Sequence, residues 1–209
     1  MLIIISIILL LSNIDYPFKN YNEVCHGIMS NSVIDNFDDI IFIPDTTVNE
    51  KLYLNNYNSI MSFYPCIDSL YLHLEQDVYA FCLFANISHT QYLKAFIYEG
   101  SLKNEFSLFE IGYLNHENIF SNGQIHDTKY SSFKTESGLS LGMDFESVLS
   151  VKGNEYDLQK RDKDSLIIYR IEADDISGFC KKYNMPSYSL CLTIKNSKVN
   201  KIVYGFDYP

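Results

Sequence analysis

The hydrophobic pattern predicts an α+β fold, an antiparallel sheet with few helices, and it suggests two helix-then-strands units. Three observations lead there. A helical pattern at 47–64 gives way to alternating runs at 67–114. A second helical pattern at 145–152 gives way to further alternating runs at 166–208. The strict strand–helix–strand alternation that builds a parallel sheet is absent. Composition agrees, because 17 Tyr and 14 Phe with no Trp suit pleated, half-buried surfaces. A chain of 209 residues that is 47% hydrophobic can bury a core as one domain or as two small ones.

The chain opens with MLIIISIILLLSN, apolar from Leu2 to Leu11 except for Ser6. This length suits the hydrophobic stretch of a signal peptide and falls short of the roughly 20 residues that a membrane span needs. Residues 1–13 are therefore read as a signal peptide, although no Lys or Arg precedes the run and no A-x-A site follows it. The implied location is periplasmic or extracellular. Residues 14–36 read as an irregular mature N-terminus.

Thr47-Val48-Asn49-Glu50 matches a capping box. Tyr53, Tyr57, Ile60, Met61 and Tyr64 follow at helical spacing until Pro65, so a helix is expected there. Runs at 67–74, 78–87, 92–98 and 106–114 read as four strands joined by short polar turns, hence as antiparallel hairpins. These complete a segment at 14–114. A polar connector at 115–134 follows, and a second helix-plus-strands segment fills 135–209.

That last segment starts with GLSLGMDFESVLSVKGN at 138–154. Gly138 and Gly142 permit turns, Asp144 is placed as N-cap, and Phe145, Val148 and Leu149 form an apolar stripe that Gly153 ends. A phosphate loop would need a Lys directly after Gly142, and Asp144 would repel an anion, so the stretch reads as structural. Strands are then expected at 166–173, 188–195 and 199–208, the last two joined by a turn at Asn196-Ser197-Lys198. Asp174 and Asp175 are taken to begin a loop carrying Lys181 and Lys182.

The stretch from Leu141-Gly142-Met143-Asp144 through Val148 to Gly153 resembles the helix start of two groups of small bacterial envelope domains. These are the SmpA/OmlA outer-membrane lipoproteins and the β-lactamase-inhibitor-protein-like domains. The resemblance covers about 135–209. It implies a short helical part packed on an antiparallel sheet, with roles in binding and assembly. The chain departs from the lipoproteins in that Cys25, its first cysteine, follows Asn22, Glu23 and Val24 instead of a lipobox. The segments GFDYP and MPSY are similar to uncharacterised secreted Bacteroidetes proteins, a likeness that implies no activity.

A net charge of −10 disfavours nucleic acid as a partner, since phosphate backbones need a basic stripe. Five cysteines without C-x-x-C spacing argue against a zinc site; in an exported chain Cys180 with Cys191 is the pair best placed for a disulfide, while buried or unpaired thiols are expected for most of the five. Cys82 reads as a buried thiol. Nucleophilic catalysis needs a base beside a Ser or Cys, and the five histidines (His26, His73, His89, His116, His126) lie in unrelated contexts. His116, Glu117, His126 and Asp127 form the one cluster that a connector could bring around a metal. Asp35, Asp38 and Asp39 lack the EF-hand pattern, and Asn86-Ile87-Ser88 matches a glycosylation sequon.

The expected function is that of an exported, non-catalytic protein that binds a protein partner through a sheet face or edge, with the connector at 115–132 as the first surface to consider. Catalytic residues, metals and cofactors are assigned as none. The alternatives are a metal-assisted hydrolase using the connector His and carboxylate residues, and a small-ligand carrier.

Overall fold

The computed structural model describes residues 40–66, 70, 72–75, 79–98, 105–114, 125–161, 163–173 and 178–207. The stretch read as a signal peptide, Cys25, the Asp35/Asp38/Asp39 patch, His116 and Glu117 lie outside them. Among the described residues no helix is long and apolar enough to cross a membrane.

One large sheet organises the chain. Its strands are β3 (His73–Glu75), β4 (Tyr79–Ala85), β5 (Gln91–Tyr98), β6 (Leu108–Tyr113), β8 (Asp157–Lys160), β9 (Ser165–Glu172), β10 (Ser187–Lys195) and β11 (Lys198–Asp207). They run in the order β3-β4-β5-β6-β11-β10-β9-β8, all antiparallel, and β7 (His126–Asp127) adds a short parallel pairing to β4. The strands from both segments thus join into a single sheet, because β11 pairs with β6 as well as with β10. Among the described residues three short helices accompany it: α1 (Ile60–Phe63), α2 (Phe145–Lys152) and α3 (Phe179–Tyr183).

The alternation read from the sequence sets the packing. Tyr188, Leu190, Leu192 and Ile194 face the main core beside Ile202, Tyr204 and Phe206 from β11 and Phe109 and Ile111 from β6. Burial of these side chains is the principal source of stability, at about 25 cal/mol per Å² of apolar surface removed from water. The opposite face is also buried, carrying Phe81, Phe96, Leu108, Ile168, Cys191 and Val203.

Four expectations need correction. Thr47-Val48-Asn49-Glu50 does not start a helix. Thr47–Val48 (β1) and Leu52–Tyr53 (β2) form a hairpin, with Asn49 and Glu50 both at positive φ. Such a pair of left-handed residues makes a tight hairpin turn. It is held by the Asn49 side chain, whose Nδ2 donates to the Ser132 carbonyl and whose Oδ1 accepts from the Lys134 N–H. The helix expected over 47–64 shrinks to a 3-10 turn (Tyr57–Ser59) and α1. Cys180 and Cys191 do not pair. Cys180 belongs to the core cluster, whereas Cys191 alternates onto the other face of β10. Lys181 and Lys182 lie on α3, not on a loop. Asp144 is the N-cap residue of α2 by position, yet its side chain makes no capping bond. The Phe145 N–H is satisfied by the Ser197 carbonyl at 3.1 Å, and the Asp144 carboxylate turns to Lys198 at 3.0 Å.

Candidate functional site

Among the described residues, three places bring polar groups and apolar surface together: one open, one sealed and one on the reverse face of the sheet.

The open one is a cleft of about 730 Å³ at the β8 end of the sheet. Its walls are the start of α2, the β8–β9 hairpin and the β10–β11 turn. The turn is sharp because Asn196 and Ser197 both take positive φ. This brings Lys198 back beside Asp144, and the Gly142 N–H donates to the Val199 carbonyl at 2.8 Å. The GLSLGMD stretch is therefore pinned to the sheet by backbone bonds, which is its structural job. The floor is apolar. Phe145 and Tyr156 meet edge to face at 5.9 Å, Tyr156 leans on Tyr169 at 5.8 Å, and Ile167 and Ile194 are buried beneath them. Leu158 of β8 is 48% exposed at the mouth. The lining carries both signs, Arg161 and Lys163 with Glu146, Asp144 and Asp164. Burial and the Glu146 carboxylate push the Tyr156 hydroxyl above its ordinary pKa, so it enters this site as a neutral donor. Among the described residues β8 ends the strand order, so its outer edge offers backbone groups to an added strand.

The sealed one lies where residues 40–46 cross the core as a strap. Phe42 stacks on Tyr169 at 4.9 Å. Tyr188 donates its hydroxyl to the Asp45 carbonyl at 2.7 Å, and Tyr204 does the same to Thr47 at 2.6 Å. Both tyrosines are fully buried, which pushes their pKa values well up. A buried hydroxyl needs such a partner. Asp45 forms an ion pair with Lys152 at 2.8 Å, the two side chains being 2% and 1% exposed. Gly153 follows at φ 80, where a Cβ would collide with the Ile40 carbonyl oxygen, so the strap itself requires that glycine.

A third polar group lies on the reverse face of the sheet. There Tyr92 donates to Glu110 at 2.6 Å, and Lys201 reaches the other carboxylate oxygen at 3.5 Å. The Tyr92 ring covers Gly112 across the strands. Lys94 sits 4.8 Å over the Phe81 ring.

The metal cluster weighed as an alternative for the connector is not assembled by its described half. His126 is buried between Tyr64 and Phe84, with ring centroids 5.1 and 5.8 Å away. Asp127, its neighbour on β7, points the other way and pairs with His89 at 3.1 Å. Residues 125–134 are built into the fold and are not a detached loop, since Thr128 bonds the Ala85 carbonyl and Phe133 is buried. The sequon asparagine, Asn86, is 1% exposed and committed to its turn. It donates to Ser88, Thr90 and Ser131 and accepts from the Thr90 and Gln91 N–H groups. Among the described residues no three His, Cys, Asp or Glu side chains are grouped to hold a metal ion.

Sequence reasoning missed the cleft and the strap pair. β8, with Asp157, Gln159 and Lys160, carries no strand signature, and nothing local links Asp45 to Lys152. The run of charges at 160–164 was the one available sign of the cleft lining. No family model matches the chain, and neither a curated protein nor a solved structure matches it.

Proposed function

We propose that this chain is an exported, non-catalytic α+β protein that binds an extended segment of a protein partner in the cleft beside β8. The observation that carries this reading is the combination of an open sheet edge with an apolar floor and a lining of both charges. A strand added at such an edge gains main-chain hydrogen bonds, while side-chain pockets provide selectivity. Leu158 and Tyr156 offer the apolar contacts, and Arg161, Lys163 and Glu146 select by charge. The apolar N-terminal run and the resemblance of 135–209 to envelope domains support location and role. The connector, first considered as the surface, gives way to the cleft because its described end is occupied by the fold.

The test compares full-length protein with a Leu158→Asp, Arg161→Glu double variant as bait in the envelope fraction. A partner retained by the first and lost by the second, with both melting at the same temperature, supports the reading. Equal retention by both would sink it.

The volume of the cleft lies within the range of small-molecule sites, which favours a small-ligand carrier as the second reading. Native mass spectrometry separates the two. A small molecule carried by the unmodified protein and absent from the double variant would favour the carrier.

A further inference from the structure

The pair formed by Asp45 and Lys152 is sealed inside the fold and held on both sides. Its Nζ and Oδ2 atoms lie 2.8 Å apart in a place where both side chains are almost wholly removed from water. Nζ is thus in contact with the carboxyl group it would attack, and holding two partners together in this way is what speeds an intramolecular reaction. The carboxyl group is also held rigidly. Its Oδ1 accepts from the Ser137 N–H at 2.7 Å, and its Oδ2 accepts from the Ser137 hydroxyl at 3.0 Å. On the other side Lys152 donates to the Ile43 carbonyl at 2.5 Å, and Phe42 lies 5.4 Å from the ammonium.

We propose that Lys152 and Asp45 become joined by an intramolecular isopeptide bond, which fastens the strap covalently to the end of α2. The atoms balance within the pair. One proton passes from Nζ to Oδ2 along the existing hydrogen bond, leaving a neutral amine and a carboxylic acid. The amine lone pair forms the Nζ–Cγ bond, and the electrons of the Cγ–Oδ1 double bond move onto Oδ1. The Ser137 N–H is already aimed at that oxygen, as an oxyanion donor must be. A second proton then moves from Nζ to Oδ2, with the Ser137 hydroxyl placed to relay it. The electron pair on Oδ1 then returns to re-form the Cγ–Oδ1 double bond, the Cγ–Oδ2 bond breaks with its electrons going to Oδ2, and water leaves. The one hydrogen remaining on Nζ keeps the Ile43 carbonyl as its acceptor. No oxidant, metal or cofactor enters this balance.

Two physical terms favour the amide. Two buried charges each carry a desolvation penalty of several kcal/mol, about the size that a good pairing only just offsets. Condensation replaces both charges with a neutral amide and releases the water to bulk solvent. Orientation contributes as well, because well-held intramolecular partners react as though at concentrations of about 10⁵ M or more. Burial lowers the Lys152 pKa, although Asp45 and the more distant Glu136 pull it partly back. A desolvated lysine is the usual form of a nucleophilic amine. Glu136 itself is engaged with the Thr46 N–H and hydroxyl at 3.3 and 3.0 Å, so it shapes the field without touching the reacting atoms.

The test is a peptide map of the folded full chain by mass spectrometry, which needs no variant. The expected result is one branched species linking the peptide that contains Asp45 to the peptide that contains Lys152. Its mass should equal the sum of the two minus one water, with Lys152 resistant to trypsin. An Asp45→Asn variant should give the same branched species with ammonia as the leaving group, and Lys152→Arg should give none. Recovery of both peptides as linear species from the folded unmodified protein would overturn the proposal. So would the loss of water confined to the Asp45 peptide, which marks an internal succinimide and no cross-link. This inference stands apart from the binding reading, since neither the strap nor Lys152 lines the cleft.

Discussion

Helix α2 carries an ion pair at each end, and the two pairs differ in almost every respect but charge. At its N-terminus Asp144 meets Lys198 at 3.0 Å, with the side chains 64% and 57% exposed. At its C-terminus Lys152 meets Asp45 at 2.8 Å, with both side chains sealed. Both arrangements place charge favourably against the helix dipole, negative at the start and positive at the end. Water decides the rest. Around the exposed pair, solvent screens the attraction and either partner can rehydrate. Around the sealed pair, every polar atom is held by protein, and removal of one partner strands the other. The same helix therefore has an adaptable end beside the cleft and a fixed end beneath the strap.

The largest effect should come from the sealed end. Lys152→Ala should cost at least about 3–5 kcal/mol in urea unfolding, because the Asp45 carboxylate is left buried and unpaired and the proposed cross-link cannot form. A loss below about 1 kcal/mol would place that pair in the same class as the exposed one and remove the contrast.

A titration should separate buried groups from exposed ones more gently. Burial pushes the Cys82 and Cys191 thiols up to about 12 from 9.0. Above pH 9.0 the unfolded chain gives up these protons while the folded chain keeps them. Stability is therefore fully present below pH 9.0 and is lost as pH rises toward 12. The slope should be about 1.4 kcal/mol per pH unit for each thiol. Tyr188 and Tyr204 add to the loss with the same sign. Thermal melting recorded from pH 8 to 11 in about half-unit steps checks this, and a melting temperature that stays level would show that water reaches the thiols.

The smallest effect belongs to the exposed end. Asp144→Ala should change stability by no more than about 1 kcal/mol, since the Phe145 N–H keeps its Ser197 partner. A larger loss would show that the GLSLGMD stretch depends on the carboxylate after all.

Much of the sheet was legible in the sequence because strand alternation is a local signal. Tyr188, Leu190, Leu192 and Ile194 announce one buried face of β10, and the structure places them there. The second helix was equally readable, from its apolar stripe and from Gly153. The first was misread because Thr47 and Glu50 satisfy a capping pattern that the chain does not use. What redirects them is a set of bonds from Asn49 to Ser132 and Lys134, more than 80 residues away, and no local pattern reports those. β8 escaped notice for a related reason: its polar residues form a strand only because β9 offers a partner.

The candidate sites divide in the same way. Sequence alone determined which side chains are apolar, where the backbone can turn and which residues could carry chemistry, because these follow from side-chain type and period. Only the tertiary structure decided which polar groups meet. It buried His126 between two rings, spent Asn86 on a turn, set Cys180 and Cys191 on opposite faces, and closed Asp45 onto Lys152. The physical reason is that a buried polar group must be satisfied by whatever the fold brings next to it. That neighbour is fixed by the packing of the whole chain and not by the residues alongside.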